Sequence, residues 1–305
     1  MSNKGNDLDL IEIFELLFSK KLLIFFVTAT FAVMSVIYSL KQPNIYSSSA
    51  LLVPSSSEQN MPSNISGISS LAKLGGISIP NLESGSLKHL QALKRVESFD
   101  FFSNHFLPEI KLENLMAASI WDHEKNTIVY DSGLYNPDEE IWVREVSYPY
   151  KQVPSDQEAY QVYLDSIKIS EDSDGFINIS YEHISPFIAK KWLDIIIKKI
   201  NLTMLDIDKE IAQKSLDYLN KSSAETSNQY LKDSISYLMQ SQMNTLMLAS
   251  SNDDYVYKII DSPIVPELKI KPNRAIICVL GTFIGFVISL FFIFFQYLFL
   301  KEKID

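Results

Sequence analysis

A single cysteine, Cys278, means that the middle of the chain has no disulfide available to it, so cysteine usage does not report its compartment. The four histidines, His89, His105, His123 and His183, are dispersed. There is no G-x-S-x-G elbow, no G-x-x-x-x-G-K-[ST] phosphate loop and no H-E-x-x-H helix, so the sequence presents no catalytic residue, no cofactor site and no metal site. Trp121-Asp122-His123-Glu124 is the one cluster with titratable variety, and neighbours in an irregular segment read as a solvated turn. Four N-x-[ST] matches, at Asn64, Asn178, Asn201 and Asn220, carry no weight, since three fall in predicted strands or helices. Basic charge is also scarce: 27 Lys and Arg face 37 Asp and Glu, which argues against nucleic acid as a partner.

What the sequence has in quantity is apolar length at its two ends. Residues 22–40 and 275–300 are uncharged runs of 19 and 26 residues, each long enough to span a hydrocarbon core. The first is too long for the apolar region of a cleaved signal peptide and no A-x-A-like site follows it; the second is longer than a soluble domain buries in one helix. Lys20, Lys21, Lys301 and Lys303 lie outside the runs and Lys41, Lys269, Lys271 and Arg274 between them. Short tails weigh most in the positive-inside rule, so both termini are expected in the cytoplasm. The expected organisation is a tail at 1–21, a first span at 22–40, an outer domain at 41–274 with net charge −9, a second span at 275–300 and a tail at 301–305.

Within the outer domain, residues 45–53 alternate as a strand stopped by Pro54, and the Ser-, Gly- and Pro-rich stretch 55–85 reads as a flexible loop. An amphipathic helix is predicted within 86–105, an excursion of loops and short helices over 112–154, and a capped helix at 155–166. Two strands around Asp172-Ser173-Asp174-Gly175 form a hairpin. Ser185-Pro186 opens a helix that meets no Gly or Pro until Pro263, giving about 60 residues of helix and roughly 90 Å of length. If continuous over about 185–250 it protrudes and packs on other copies; if broken between Asn220 and Asn228 it folds back as a hairpin within one subunit. Residues 255–260 then return to the sheet as a strand, which brings the two spans together. The fold class is therefore α+β: a small mixed sheet at the base, a long protruding helix, and two transmembrane helices around the domain. The tail 7–21, with acids early and lysines late, is predicted as an interfacial helix.

Two signals concern the spans. Gly281 and Gly285 form G-x-x-x-G, which bares one helix face for close approach of another helix. Pro263, Pro266 and Pro272 hold an extended backbone ahead of Asn273, Arg274 and the second span. The pattern I-I-D-S-P-I-V-P-E-L-K-I-K-P-N-R at 259–274, followed by V-L-G-T-F-I-G at 279–285, resembles the proline-rich junction of Wzz-type chain-length determinants, the class 1 polysaccharide co-polymerases. At the front, D-L-D-L-I-E-I-F-E-L-L at 7–17, the lysine pair, the first span and I-Y-S-S-S-A-L-L-V-P at 45–54 resemble the family in order and spacing. Residues 112–154 match no family motif.

The resemblance implies an inner-membrane protein, its main domain periplasmic, that sets the modal length of a surface polysaccharide, typically lipopolysaccharide O-antigen. It would act as a non-catalytic, ring-like homo-oligomer with a Wzy-type polymerase, the growing lipid-linked glycan and membrane lipids as partners. The five-residue tail at 301–305 lacks the kinase domain of capsule-export relatives, which points to O-antigen. Pro263, Pro266, Pro272, Asn273, Arg274, Gly281 and Gly285 are the candidate residues for span geometry and polymerase contact. The alternative reading is a two-span periplasmic sensor or adaptor signalling through a separate partner; an enzyme acting on polysaccharide comes third.

Overall fold

The computed structural model describes residues 18–55, 84–251 and 254–301. The predicted tail helix at 7–17 and most of the predicted loop at 55–85 lie outside the described residues. The chain divides into two units, Met1–Asn44 with Lys269–Asp305, and Ile45–Leu268.

In chain order the elements are α1 (Lys21–Lys41), β1 (Tyr46–Pro54), α2 (Ser84–Val96), short helical turns from Phe99–Phe101 to Leu107–Glu109, and α3 (Leu112–Met116). Then come β2 (Ala118–Asp122), β3 (Thr127–Tyr130), β4 (Tyr135–Asn136), β5 (Ile141–Trp142), α4 (Asp156–Ser166), β6 (Ile167–Glu171) and β7 (Ile177–His183). Last are α5 (Pro186–Glu225), α6 (Gln229–Ser251), β8 (Tyr257–Asp261) and α7 (Arg274–Lys301).

A four-stranded sheet of order β6-β7-β1-β8 forms the base of the Ile45–Leu268 unit. Every pairing in it is antiparallel, so the expected mixed sheet is corrected. The reason lies in the connections: β6 and β7 are joined by a tight turn, and β1 and β8 run in opposite senses along each other from opposite ends of the unit's sequence. The period-two pattern decides the buried face. Ser48, Ala50 and Leu52 of β1 and Ile177, Ile179, Tyr181 and His183 of β7 all point inward.

Against that face lies the first half of α5, through Trp192, Leu193, Ile196, Ile197 and Ile200. Aromatic side chains fill the remaining volume: Phe106 meets Tyr163 at 5.0 Å and Trp192 at 5.8 Å, and Tyr181 meets Trp192 at 5.6 Å. Such pairs add about 0.5–1.5 kcal/mol each beyond the area they bury. The hydroxyls of this cluster are used as caps. Tyr163 donates to the carbonyl of Val96 at 2.9 Å and Tyr160 to that of Glu97, two carbonyls that the C-terminus of α2 leaves open.

Helices begin where the sequence provides caps. Ser155 and Glu158 form a capping box on α4, and Ser185 Oγ accepts the Ile188 N–H on α5, whose first residue is Pro186. The long helix predicted over about 185–250 is broken. α5 ends at Glu225, Thr226 Oγ1 accepts the Asn228 N–H, and Asn228 Oδ1 accepts from Tyr230 and Leu231 as the cap of α6. Side chains that compete for backbone hydrogen bonds end a helix as proline would. α6 packs on α5, with Ala212 and Leu216 buried on one helix and Ile235 and Ala249 on the other. The helix therefore turns back as a hairpin, about 60 Å out and 35 Å back.

The excursion at 112–154 is more ordered than the expected loops and short helices: it holds α3 and two hairpins, β2–β3 and β4–β5. Arg144 secures its end, forming a two-pronged pair with Glu158 at 2.8 Å and donating to the carbonyl of Gln152 at 2.9 Å. The Arg144 guanidinium holds the Glu158 carboxyl below its usual value.

His183 couples the sheet to α5. Its Nδ1 accepts the Ser185 N–H at 2.9 Å, so the ring is neutral and Nε2 donates to the carbonyl of Asn114 at 3.0 Å. Burial pushes its pKa below the usual 6.5. With a depressed folded value, its stabilising contribution is complete above about pH 6.5 and lost as pH falls through and below it. Thermal or urea unfolding at pH 7.5 and 5.5 is expected to show an acid-side loss of up to about 1.4 kcal/mol per pH unit from this ring. His183→Gln is expected to remove that part of the slope; an unchanged slope refutes the assignment.

Candidate functional site

In the unit formed by Met1–Asn44 and Lys269–Asp305, α1 and α7 are both long and apolar enough to cross a membrane, with mean hydropathy 2.2 and 2.8 over their best windows. They pack along each other through small residues. Gly281 faces Ser35 and Gly285 faces Phe31 so closely that an added Cβ would stand 2.3 Å from Ser35 Cβ and 2.4 Å from Phe31 Cβ. Glycine is therefore required at both positions by space. Ser39 of α1 and Ser289 and Ile293 of α7 are buried along the same pair.

The start of α7 is built by the predicted junction residues. Asn273 Oδ1 accepts the Ile276 N–H at 3.3 Å as its cap, directly after Pro272. Arg274 Nη2 and Lys269 Nζ both donate to Asn44 Oδ1, at 3.2 and 2.8 Å, which ties the chain after α1 to the chain before α7. In the Ile45–Leu268 unit, Pro263 is buried and Pro266 half-buried in the extended stretch after β8, where the Ile264 carbonyl accepts Ser48 Oγ at 2.7 Å. The seven candidate residues thus fall in two units: Pro272, Asn273, Arg274, Gly281 and Gly285 in the helix pair, Pro263 and Pro266 in the other.

Two polar arrangements escaped the sequence reading. Asn201 of α5, 4 % exposed, accepts the N–H groups of Val256 and Tyr257 on Oδ1 at 2.8 and 2.9 Å and donates Nδ2 to the Tyr257 carbonyl at 3.0 Å. It thereby fixes the start of β8. Two turns of helix further along, Asp208 pairs with Lys88 of α2 at 2.5 Å and accepts the Tyr255 hydroxyl at 2.7 Å, while Lys88 donates to that hydroxyl at 3.0 Å. Burial alone would lower the Lys88 ammonium, but its bonds to Asp208 and Tyr255 outweigh it and hold the pKa above the usual lysine value. Burial pushes the Tyr255 hydroxyl up to about 12. The ion pair and the shared hydroxyl clamp three elements together. Nothing short of two residues 167 apart in sequence could have announced it.

Of the Trp121–Glu124 cluster, read as a solvated turn, only His123 and Glu124 lie in the turn; Trp121 and Asp122 end β2, and Asp122 Oδ1 accepts the N–H groups of Glu124 and Lys125. Among the described residues, no group of three or more His, Cys, Asp and Glu is placed to hold a metal ion.

Fold and helix pair together define a class: an α+β unit inserted in sequence between two apolar helices that pack closely on each other. Residues 6–96, about the front third of the chain, match the family model described as Wzz, chain length determinant protein. The match contains the first apolar helix, β1 and α2, and so covers the front half of the resemblance drawn from the sequence. No curated protein matches the chain.

Among solved structures, the chain is similar to a full-length bacterial polysaccharide co-polymerase, at 13% identity and a TM-score of 0.44, over 97% of this chain and 100% of that one. It is also similar to a fragment of WzzB, a polysaccharide co-polymerase from Salmonella Typhimurium, at 15% identity and TM-score 0.31, over 75% of this chain and 100% of that one. A third is a point mutant of the Shigella flexneri lipopolysaccharide O-antigen chain-length regulator, at 10% identity and TM-score 0.24, over 74% of this chain and 99% of that one.

Proposed function

We propose that this chain is a non-catalytic scaffold that sets the modal chain length of a surface polysaccharide, O-antigen, made by a Wzy-type polymerase. The observation that carries the reading is the chain-length-determinant match at 6–96. In this reading α1 and α7 cross the inner membrane, the Ile45–Leu268 unit stands in the periplasm, and the growing lipid-linked glycan is the substrate whose extension is timed. Pro263, Pro266, Pro272, Asn273, Arg274, Gly281 and Gly285 set span geometry and polymerase contact.

The α5–α6 hairpin supports a ring-like homo-oligomer, on different grounds from those the unbroken helix offered. Tyr230 and Tyr237, and Leu231 and Leu238, recur at seven-residue spacing on α6 and are exposed, and Tyr218 is exposed on α5. A helix that displays apolar residues every seventh position after it has already packed on its partner helix has a second seam to fill, and another copy of the chain fills it. Deleting the gene is expected to replace a clustered O-antigen ladder on a gel with an unregulated distribution, restored by the wild-type copy. An unchanged ladder refutes the reading.

A further inference from the structure

The stretches 41–44 and 269–274, both within the unit that holds α1 and α7, carry Lys41, Lys269, Lys271 and Arg274 and no acid, in a chain whose formal charge is −10. Two of these cations converge on one atom. Lys269 Nζ and Arg274 Nη2 both donate to Asn44 Oδ1, at 2.8 and 3.2 Å, in partly buried surroundings. The two charges therefore stand no more than about 6 Å apart, close enough to repel each other. The oxygen between them is neutral. Among the described residues neither cation is paired with a carboxylate, and Arg274 Nε is enclosed with no acceptor.

A carboxamide oxygen has two lone pairs, and both are used here, so the cluster holds two positive charges without a counter-charge. The start of α7 adds to the imbalance. Asn273 takes the Ile276 N–H as its cap, which leaves the N–H groups of Arg274 and Ala275 without a partner inside the helix, at the positive end of a dipole 28 residues long. The planar fork of an arginine and the ammonium of a lysine beside a helix N-terminus are a donor set for phosphate oxygens. The position of the cluster selects the carrier of that phosphate. Lys41 is the last residue of α1 and Arg274 the first of α7, where the uncharged runs 22–40 and 275–300 stop. With α1 and α7 across a bilayer, this level is the headgroup layer, in which anionic lipids present phosphate to basic side chains.

We propose that Asn44, Lys269 and Arg274 form a binding site for the phosphate of an anionic lipid headgroup. The inference rests on the reading of α1 and α7 as membrane spans. A bound phosphate supplies the missing counter-charge and joins the chain leaving α1 to the chain entering α7 more firmly than the carboxamide does alone.

The test uses the full chain in nanodiscs of equal phosphatidylglycerol and phosphatidylcholine, transferred to mild detergent, with the lipids that stay bound counted by native mass spectrometry. The wild type is expected to keep phosphatidylglycerol several-fold over phosphatidylcholine. Asn44→Asp puts a carboxylate between the two cations, so it is expected to bring the two lipids to parity with no loss of melting temperature; a purely structural tie would be strengthened by that change and leave lipid retention as it was. Lys269→Gln with Arg274→Gln is expected to reach the same parity by removing the charges. No preference in the wild type, or a preference that survives either change, overturns the site while leaving the spans intact. Inorganic phosphate that displaces the phosphatidylglycerol and is itself retained overturns the lipid as its carrier. A chain that fails to enter the discs overturns the span reading and the site with it.

Discussion

Replacing Asn201 with leucine is expected to lower the stability of the Ile45–Leu268 unit by about 3–5 kcal/mol, the largest loss for any single polar side chain in it. The carboxamide makes three hydrogen bonds to the backbone of residues 256 and 257 while almost wholly buried. Leucine fits the volume but strands two N–H groups and a carbonyl away from water, and each such group costs about 1–3 kcal/mol. In a unit of this size each kcal/mol moves the melting point by about 2–4 °C, so a fall on the order of 10 °C is expected in full-length protein extracted in detergent. Asn201→Asp separates the mechanism from simple disruption. A carboxylate still accepts both N–H groups but cannot donate to the Tyr257 carbonyl, so its loss is expected to be smaller than that of leucine at neutral pH. Equal melting points for wild type and Asn201→Leu would show that β8 is held by its pairing with β1 alone.

What could be read from the sequence, and what could not, follows from the range over which each signal acts. The apolar helices were legible because the bilayer imposes a length, and the Ser155 and Ser185 caps because each cap and the N–H that donates to it lie within one turn. The β6–β7 hairpin was legible because Asp172 and Gly175 supply its turn, with Gly175 at φ 82°. The hairpins in 112–154 were not, because their strands are two to five residues long and their turns place Asn126 and Glu140, rather than glycine, at positive φ. The mixed sheet was a guess about strand direction, which no local pattern encodes. The helical break was foreseen only as a region, since three polar residues at 226–228 can cap or continue a helix until packing chooses; here burial of Leu216 and Ile235 in the α5–α6 hairpin chooses. Of the candidate site, Gly281 and Gly285 were legible through their spacing. The Asn44 tie to Lys269 and Arg274 was not, because its partners are 225 and 230 residues apart.

Gly285→Leu is expected to force α1 and α7 apart and, in the chain-length reading, to abolish the modal cluster of the O-antigen ladder. A Cβ at this position would sit 2.4 Å from Phe31 Cβ and 2.8 Å from Phe31 Cγ, inside any real contact distance, and leucine adds three further carbons in the same direction. Overpacking of a close-fitted interface costs about 1–3 kcal/mol, and within a bilayer no hydrophobic term returns the helices once their contact surfaces separate. The effect should be graded, Gly285→Ala weaker than Gly285→Leu, because alanine brings only the Cβ into the contact and leucine the rest of its side chain as well. It should also be reversible. Phe31→Gly removes the Cβ, Cγ and Cδ2 that the new Cβ meets, so Phe31→Gly with Gly285→Ala is expected to recover more of the modal cluster than the two single losses would sum to. Gly281→Leu, whose Cβ would stand 2.3 Å from Ser35 Cβ, should behave as Gly285→Leu does but without rescue by Phe31→Gly. A ladder indifferent to leucine at both glycines would mean that length control does not pass through the packed helices, and the Ile45–Leu268 unit alone would have to carry it.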